Sequence, residues 1–479
     1  MPLLDPTLWQ DGPTLTGGTA PVVEPATGQI LATLDLAAPA DVAEAAVRAR
    51  AAQRDWARTT HLERASVLRR AGDLFAAHAD ELRDWLVRES GSVPGKAAFE
   101  LHVAAQECYE AAALASRPTG QVLPSEAPRL SFTRRMPAGV VGVIAPFNAP
   151  LILSIRSVAP ALALGNAVLL KPDPRTAVCG GFALAAVFAA AGLPAGLLHV
   201  LPGGSETGAA VVADPRVRVV SFTGSTAAGR AVGELAGRHL KRAHLELGGN
   251  SALVVLADAD VEAAVAQASW GSFFHQGQIC MTAGRHLVHA SLYDEYVERL
   301  AARAEALAVG DPHRGPVHLG PLLDRGQLER VHGLVEASVE QGAKLVVGGT
   351  HQDLFYRPTV LAGVDDDTPA YTEEVFGPVA PVRSFATEDE AVFLASAGPY
   401  GLSLGIITRD AAHGLDLADR IPTGIAHVND QTVNDEAVAP FGGVGVSGTG
   451  ARFGGEANLD AFTELRWTTA RTTPPGHPF

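Results

Sequence analysis

The sequence predicts an α/β protein built on parallel sheets, and three observations carry that expectation. Short apolar runs alternate with helical patterns over residues 140–247, and a second such series begins after Gly249. The chain has 479 residues, 47% of them hydrophobic, too long for one typical core and apolar enough for two. Successive parallel strands need crossover connections, and the intervening helical patterns supply them.

Taken in order, residues 1–40 are rich in Pro, Gly and Thr and read as short strands and turns covering a larger body. The run DVAE at 41–44 is close to a capping box and opens an Ala-rich helix. Further helical patterns cover 61–78, 80–90 and 96–114, with Gly91 ending the middle one. An excursion at 117–136, rich in turn residues, holds one alternating run, RLSFTRR (129–135). The first strand series is VVGVIA (140–145), AVLLK (167–171), LHVL (198–201), RVVSFT (218–223) and HLEL (244–247). The second contains SALVVL (251–256), a helix from about 261, RHLVHA (285–290), and helices near 292–307 and 325–341. It closes with LSLGIIT (402–408), a helix from about 411 and GIAHVN (424–429). FTELRWTTA (462–470) alternates again and is a candidate partner for 129–135. The most apolar stretch, 139–170, is interrupted by Pro146, Asn148, Pro150, Arg156, Pro160 and Asn166, so it reads as strand and helix, not as a membrane span.

Charge narrows the partners. With 37 Lys and Arg against 52 Asp and Glu, the net charge of −15 would repel a phosphate backbone or an anionic bilayer, so neither nucleic acid nor membrane is expected. Three cysteines are no disulfide framework and MPLLDPTLWQ lacks a signal-peptide pattern, which points to a reducing cytoplasm. The sixteen histidines show no HExxH-like pairing and His275 stands alone, so no metal is expected.

Six segments carry candidate chemistry. FFHQGQIC (273–280) presents Cys280 after a Gly-Gln turn; free thiols titrate near ~8.5, so a working nucleophile needs help to ionise. Glu246, at a strand end before Gly248 and Gly249, is placed to be a partly desolvated general base 34 residues before Cys280. Asn148, after the first parallel strand, stands where open α/β sheets put their ligand crevice and could hold an oxyanion with the Cys280 backbone N–H. FTGSTAAGR (222–230) is a glycine loop between strand and helix that could seat a phosphate, although it is neither GxGxxG nor a P-loop. Lys171 could reach a ribose or phosphate, and EEVFGPV (373–379) offers a carboxylate and an aromatic ring. Read singly, each has a plainer explanation: an inert buried thiol, a solvated glutamate, a turn asparagine, a snorkelling lysine, a structural turn.

Read jointly they do not. PFN, LELGGNS, FFHQGQIC, EEVFGPV and PFGGVGVSGTG resemble, in order and spacing, the NAD(P)-dependent aldehyde dehydrogenase superfamily across nearly the whole chain. The longer strings NAPLILSIRSVAPALALGNAVLLKPDPRT, FFHQGQICMTAGRHLVH and HVNDQTVNDEAVAPFGG look like its benzaldehyde and vanillin dehydrogenase branch. The resemblance implies an aldehyde dehydrogenase-like fold: a Rossmann-type parallel-sheet cofactor domain (1–116 and 137–247), an α/β catalytic domain (248–457) and a small β oligomerisation flap (117–136 and 458–479). It implies Cys280 as nucleophile, Glu246 as base and Asn148 as oxyanion donor. It also implies a cofactor site of Ala145, Pro146, Phe147, Lys171, Gly204, Thr223, Gly224, Ser225, Leu247, Glu374 and Phe376, and a substrate pocket with Ile152, Arg156, Phe274, Ile279 and Met281. A homodimer or homotetramer follows from the flap.

Two positions depart from the family pattern. KPDP replaces the usual KPAE or KPSE, so Pro174 stands where a glutamate commonly clamps the adenosine ribose; with Arg175 adjacent, NAD is favoured and NADP use is open. Gly445 replaces the lysine of PFGGxKxSG. Arg156 stands where aliphatic-aldehyde members commonly have tryptophan and either shapes the tunnel, faces a polar ring substituent or forms a structural ion pair. The expected reaction is oxidation of an aldehyde, of aromatic type, through a thiohemiacetal and thioester on Cys280. The alternatives are an aliphatic or semialdehyde substrate, a cysteine-dependent hydrolase without redox chemistry, or a non-catalytic structural relative.

Overall fold

The first apolar series closes into a five-stranded parallel sheet in the order Leu198–Val200, Ala167–Lys171, Val140–Ile144, Val217–Thr223, Arg242–Glu246. The computed structural model describes residues 3–4 and 15–477. Strand order reverses between Val140–Ile144 and Val217–Thr223, which makes a switch point, and the loops leaving these strands carry Pro146–Asn148 and Gly224–Ser225. Val140–Ile144 is buried along its whole length, as a central parallel strand covered on both faces should be.

Helices cover this sheet. The Ala-rich helix starts at Pro39, earlier than its DVAE run suggested, because Asp41 caps from the third helical position by accepting from the Ala38 N–H at 2.8 Å. His61–Ala77 opens with a full capping box of Thr60 and Glu63. Ala79–Ser90 ends at Gly91, whose φ of 67° is the left-handed geometry of a helix stop. Pro94–Leu114 packs against His61–Ala77 and against Pro150–Ala163, the helix that follows Asn148.

The second series forms a seven-stranded sheet in the order Lys344–Val347, Thr359–Ala362, Val379–Phe385, Ala283–His289, Ser251–Val255, Ser403–Ile407, Ile425–Val428. Only its edge strand Lys344–Val347 runs antiparallel to its neighbour. Three of these strands escaped the sequence reading. Thr359–Ala362 spans four residues, Lys344–Val347 is a half-exposed edge, and Val379–Phe385 contains Pro381, which counts against a strand. The two alternating runs pair antiparallel from Thr463 opposite Pro137 to Ala470 opposite Leu130. The apolar core divides too: one cluster surrounds the five-stranded sheet through Leu247, and others begin with Ala252 and Leu253 on the two faces of the larger sheet. No helix among the described residues is long and apolar enough to cross a membrane.

Candidate active site

The turn that delivers Cys280 is strained and pinned. Helix Val261–Phe273 is opened by Asp260 and stops at Phe273; the chain then makes one tight turn, Phe274–Gly277, in which His275, Gln276 and Gly277 have φ of 50°, 56° and 66°. Such backbone costs on the order of 1–2 kcal/mol for each non-glycine residue, so something must hold it. The Gln276 amide donates to the carbonyls of Gly91 (3.0 Å) and Pro321 (2.8 Å), and Gln278 Oε1 accepts from the Leu323 N–H at 3.1 Å. Gly277 has no substitute, since a Cβ there would lie 2.1 Å from the Gly377 carbonyl oxygen.

Cys280 thereby sits, partly exposed, between two cavities of about 650 Å³ each. Both walls contain Asn148, Leu153 and Cys280. On one side lies a tunnel whose rings are Phe99, Trp270, Phe274 and Phe441, with Ile152, Arg156, Ile279 and Met281 also in its wall. On the other lies a cleft walled by Pro146, Phe147, Thr223, Gly224, Ser225, Leu247, Glu374 and Phe376. All five residues assigned to the substrate side by resemblance thus face the tunnel. On the cofactor side Ala145, Lys171 and Gly204 are not part of the cleft wall.

Electrostatics separate the reactive groups. Burial raises the Cys280 thiol to about 12, and the Glu374 carboxylate adds to the rise while Arg156 opposes it. Burial and the nearby carboxylates thus outweigh the one arginine and favour the thiol, and no helix N-terminus underlies the turn to help it ionise. Glu246 is raised to about 8, again by burial first, with Arg156, Arg452 and the Gly443 N–H acting against it. Neither of its oxygens has a well-formed hydrogen bond, and it faces the backbone of Gly442, where a Cβ would come within 2.7 Å of Oε1. Glu246 is 2% exposed and lies in neither cavity wall, but its charge reaches Cys280. If Glu246 is the base, turnover limited by hydrolysis should rise about tenfold per pH unit up to about pH 8 and level off above it, because only the ionised form accepts a proton; a flat profile would contradict this.

Asn148 is 5% exposed and donates from Nδ2 to the Gln278 carbonyl at 2.8 Å. That bond uses one of its two amide N–H groups, and the second remains for an oxygen beside Cys280. Arg156 is 2% exposed, ion-paired with Asp435, and lies over the Phe441 ring at 4.3 Å. Its Nε and Nη1 have no partner, so it combines a structural pair with donors left over at the tunnel.

The cleft suits a dinucleotide. Ser225 caps the 13-residue helix Thr226–Arg238, whose N-terminal N–H groups point to the cleft as a phosphate site does. Gly224 leaves no room for a Cβ, which would lie 2.6 Å from the Phe222 ring. Glu374, raised to about 7 by burial, accepts from the Gly249 N–H at 3.0 Å and presents a carboxylate suited to ribose hydroxyls. Arg175 is clamped by Asp173 (2.7 Å) and Asp324 (2.5 Å) and lies over the Phe147 ring at 4.5 Å. The departure at 445 has a steric account: Gly445 has φ of 63°, and a Cβ would stand 2.5 Å from the Pro399 carbonyl oxygen, so lysine does not fit this backbone.

Sequence reasoning missed Lys96, Phe99, Trp270, Asp435 and Phe441 in the tunnel wall. Trp270 and Phe274 are four apart and their rings stack at 4.3 Å, a spacing visible beforehand; the others come from distant segments, and only the fold joins them.

A switch-point crevice meeting an apolar tunnel at one cysteine defines an NAD(P)-linked oxidoreductase of the parallel-sheet class. The profile of the aldehyde dehydrogenase family matches residues 12–468, and the chain belongs to that family. It is similar to a vanillin dehydrogenase of Amycolatopsis sp. (strain ATCC 39116 / 75iv2), with 72% identity over 97% of this chain and 96% of that protein. It is 49% identical to a benzaldehyde dehydrogenase [NAD(+)] of Pseudomonas putida, over 97% of this chain and 95% of the other. Among solved structures, a salicylaldehyde dehydrogenase from Pseudomonas putida G7 complexed with salicylaldehyde superposes with a TM-score of 0.93 at 36% identity, covering 96% of each chain. A betaine aldehyde dehydrogenase from Staphylococcus aureus in complex with NAD+ does so with a TM-score of 0.92 at 28% identity, covering 96% of this chain and 92% of the other.

Proposed function

We propose that this enzyme oxidises aromatic aldehydes of the benzaldehyde and vanillin type to carboxylic acids, with NAD favoured over NADP. The observation that carries this reading is the ring-lined tunnel ending at Cys280, with Arg156 as its one buried cation bearing unpartnered donors. Phe99, Trp270, Phe274 and Phe441 suit a flat ring, and the free Nε–H and Nη1–H of Arg156 suit an oxygen substituent on it. The relatives named for vanillin, benzaldehyde and salicylaldehyde support the same substrate class.

In this reading Cys280 gives up its proton to solvent through the tunnel as the sulfur attacks the aldehyde carbon, and the alkoxide that forms is held by the second Asn148 N–H and the Cys280 backbone N–H. NAD(P)+ held in the cleft would supply the acceptor for the hydride that leaves that carbon. The Ser225 helix end would hold the pyrophosphate and Glu374 a ribose, with Lys171 close by at the end of its strand. Glu246 then takes a proton from water as it attacks the thioester, releasing the acid and regenerating the thiol. NAD is favoured because Arg175, the cation beside Pro174, is already committed to two carboxylates. The lack of a carboxylate at 174 leaves NADP a weaker second choice.

The test is a kcat/KM panel of benzaldehyde, vanillin, hexanal and succinic semialdehyde with each cofactor. The aromatic pair should lead, and NAD should outperform NADP. A lead for hexanal or the semialdehyde would move the substrate class, and ester cleavage without aldehyde-dependent cofactor reduction would favour the hydrolase reading. Arg156→Met combined with Asp435→Asn, which removes both buried charges together, should cost vanillin about tenfold more than benzaldehyde in kcat/KM, the worth of a hydrogen bond to a charged donor. Equal losses for both aldehydes would leave Arg156 a structural role alone.

Assembly follows the same reading. The paired strands Leu130–Pro137 and Thr463–Ala470 expose Leu465 and Trp467 on one face and Leu130 on the other, apolar surface suited to a second copy, so a homodimer or homotetramer is proposed. The division into 1–116 with 137–247, 248–457, and 117–136 with 458–479 is proposed on the separate core clusters and this strand pair. Three free thiols fit a cytoplasmic setting.

A further inference from the structure

Beneath the Asn148 loop lies a buried pair of opposite charges. Lys96 and Glu100, one turn apart on helix Pro94–Leu114, contact each other and are 3% and 0% exposed. Lys96 Nζ donates to the Asn148 backbone carbonyl at 2.7 Å. Glu100 Oε2 accepts from the N–H groups of Leu151 (3.1 Å) and Ile152 (3.4 Å), the first turn of helix Pro150–Ala163. That helix follows Ala149, which offers no side-chain cap, so the carboxylate from another helix fills this need and sits at the positive end of the dipole. The Asn148 side chain meanwhile donates to the Gln278 carbonyl at 2.8 Å, two residues before Cys280. A continuous chain of contacts therefore runs from Glu100 and Lys96 through both the backbone and the amide of Asn148 to the nucleophile turn.

Stability alone is a poor reason for such a pair. Desolvating two ions costs several kcal/mol, and apolar replacements of buried pairs are often neutral or stabilising. Here the donors and acceptors of both side chains are directed at the backbone on either side of Ala149 and Pro150. We propose that Lys96 and Glu100 are positioning residues for the oxyanion amide: together they fix the Asn148 backbone so that its second amide N–H stays aimed at the alkoxide. This rests on the oxyanion role read for Asn148, and the two can fail separately.

The experiment uses the full-length enzyme with saturating NAD and a series of para-substituted benzaldehydes, following cofactor reduction in a single turnover. Lys96→Met with Glu100→Gln removes both charges while keeping a carbonyl for the Leu151 and Ile152 N–H groups. It should slow the single turnover about ten- to a hundredfold, as a misplacement near 1 Å does. It should leave KM within about threefold, as loss of an interaction made only in the transition state does, and it should steepen the dependence on electron withdrawal, because the alkoxide must stabilise itself. Asn148→Ala should be slower still, by about 10²- to 10³-fold, with the same steepening. Iodoacetamide should alkylate Cys280 at the wild-type rate in both, which mere loosening of the turn would not allow. Wild-type rate and slope in the double variant, with Asn148→Ala impaired, would overturn the positioning role. A wild-type Asn148→Ala would instead overturn the oxyanion reading. If methionine at 96 prevents folding, Lys96→Gln with Glu100→Gln, whose shorter amide falls short of the Asn148 carbonyl, carries the same expectations and the same refutation.

Discussion

Cys280→Ala is expected to abolish aldehyde-dependent cofactor reduction, by about 10⁴-fold or more, while leaving the fold and cofactor binding in place. The size follows from the site. Cys280 is the one cysteine that both cavities reach, whereas Cys108 and Cys179 are buried and their thiols are pushed well above the ordinary range by burial. No other cysteine among the described residues lines either cavity, and alanine removes only a sulfur from a turn whose shape is set by Gln276, Gln278 and Gly277. Far-UV circular dichroism and NAD titration by fluorescence quenching should therefore match the wild type. Retained oxidation in Cys280→Ala would move the nucleophile elsewhere and dismantle the mechanism.

Glu246→Gln is expected to split the reaction in two. Acylation should survive, giving one equivalent of reduced cofactor per site in a rapid burst, and steady-state turnover should then fall by about 10²- to 10⁴-fold as thioester accumulates. The acid limb expected below about pH 8 should vanish with the carboxylate. Intact-mass spectrometry of the quenched enzyme reads the acyl adduct directly. Full turnover with no adduct would show that water is activated by another group.

Much of this site was legible before any coordinates. FFHQGQIC, LELGGNS and PFN each put a candidate side chain at the end of a strand or after a turn, and such placements survive in sequence because they depend on local residues such as Gly248 and Gly277. What stayed hidden depends on distant packing. The ionisation of Cys280 is set by burial first and then by Glu374, Arg156 and Glu246, which come from three separate segments. The tunnel rings Phe99 and Phe441 come from opposite ends of the chain. The strand Val379–Phe385 was masked by Pro381, whose missing N–H the sheet tolerates where spacing rules do not. Gly445, in sequence only a departure from the family's lysine, is a backbone requirement.

The left-handed turn before Cys280 has one more implication. Its shape is dictated by two glutamines whose amides bond to main-chain groups and by a glycine wedged against Gly377, none of which lines the tunnel. Their neighbours Phe274, Ile279 and Met281 line the tunnel instead. Reactivity and recognition are thus encoded on interleaved positions of one octapeptide and its flank, so a lineage can retune which aldehydes it accepts through the second set without disturbing the frame that presents the sulfur.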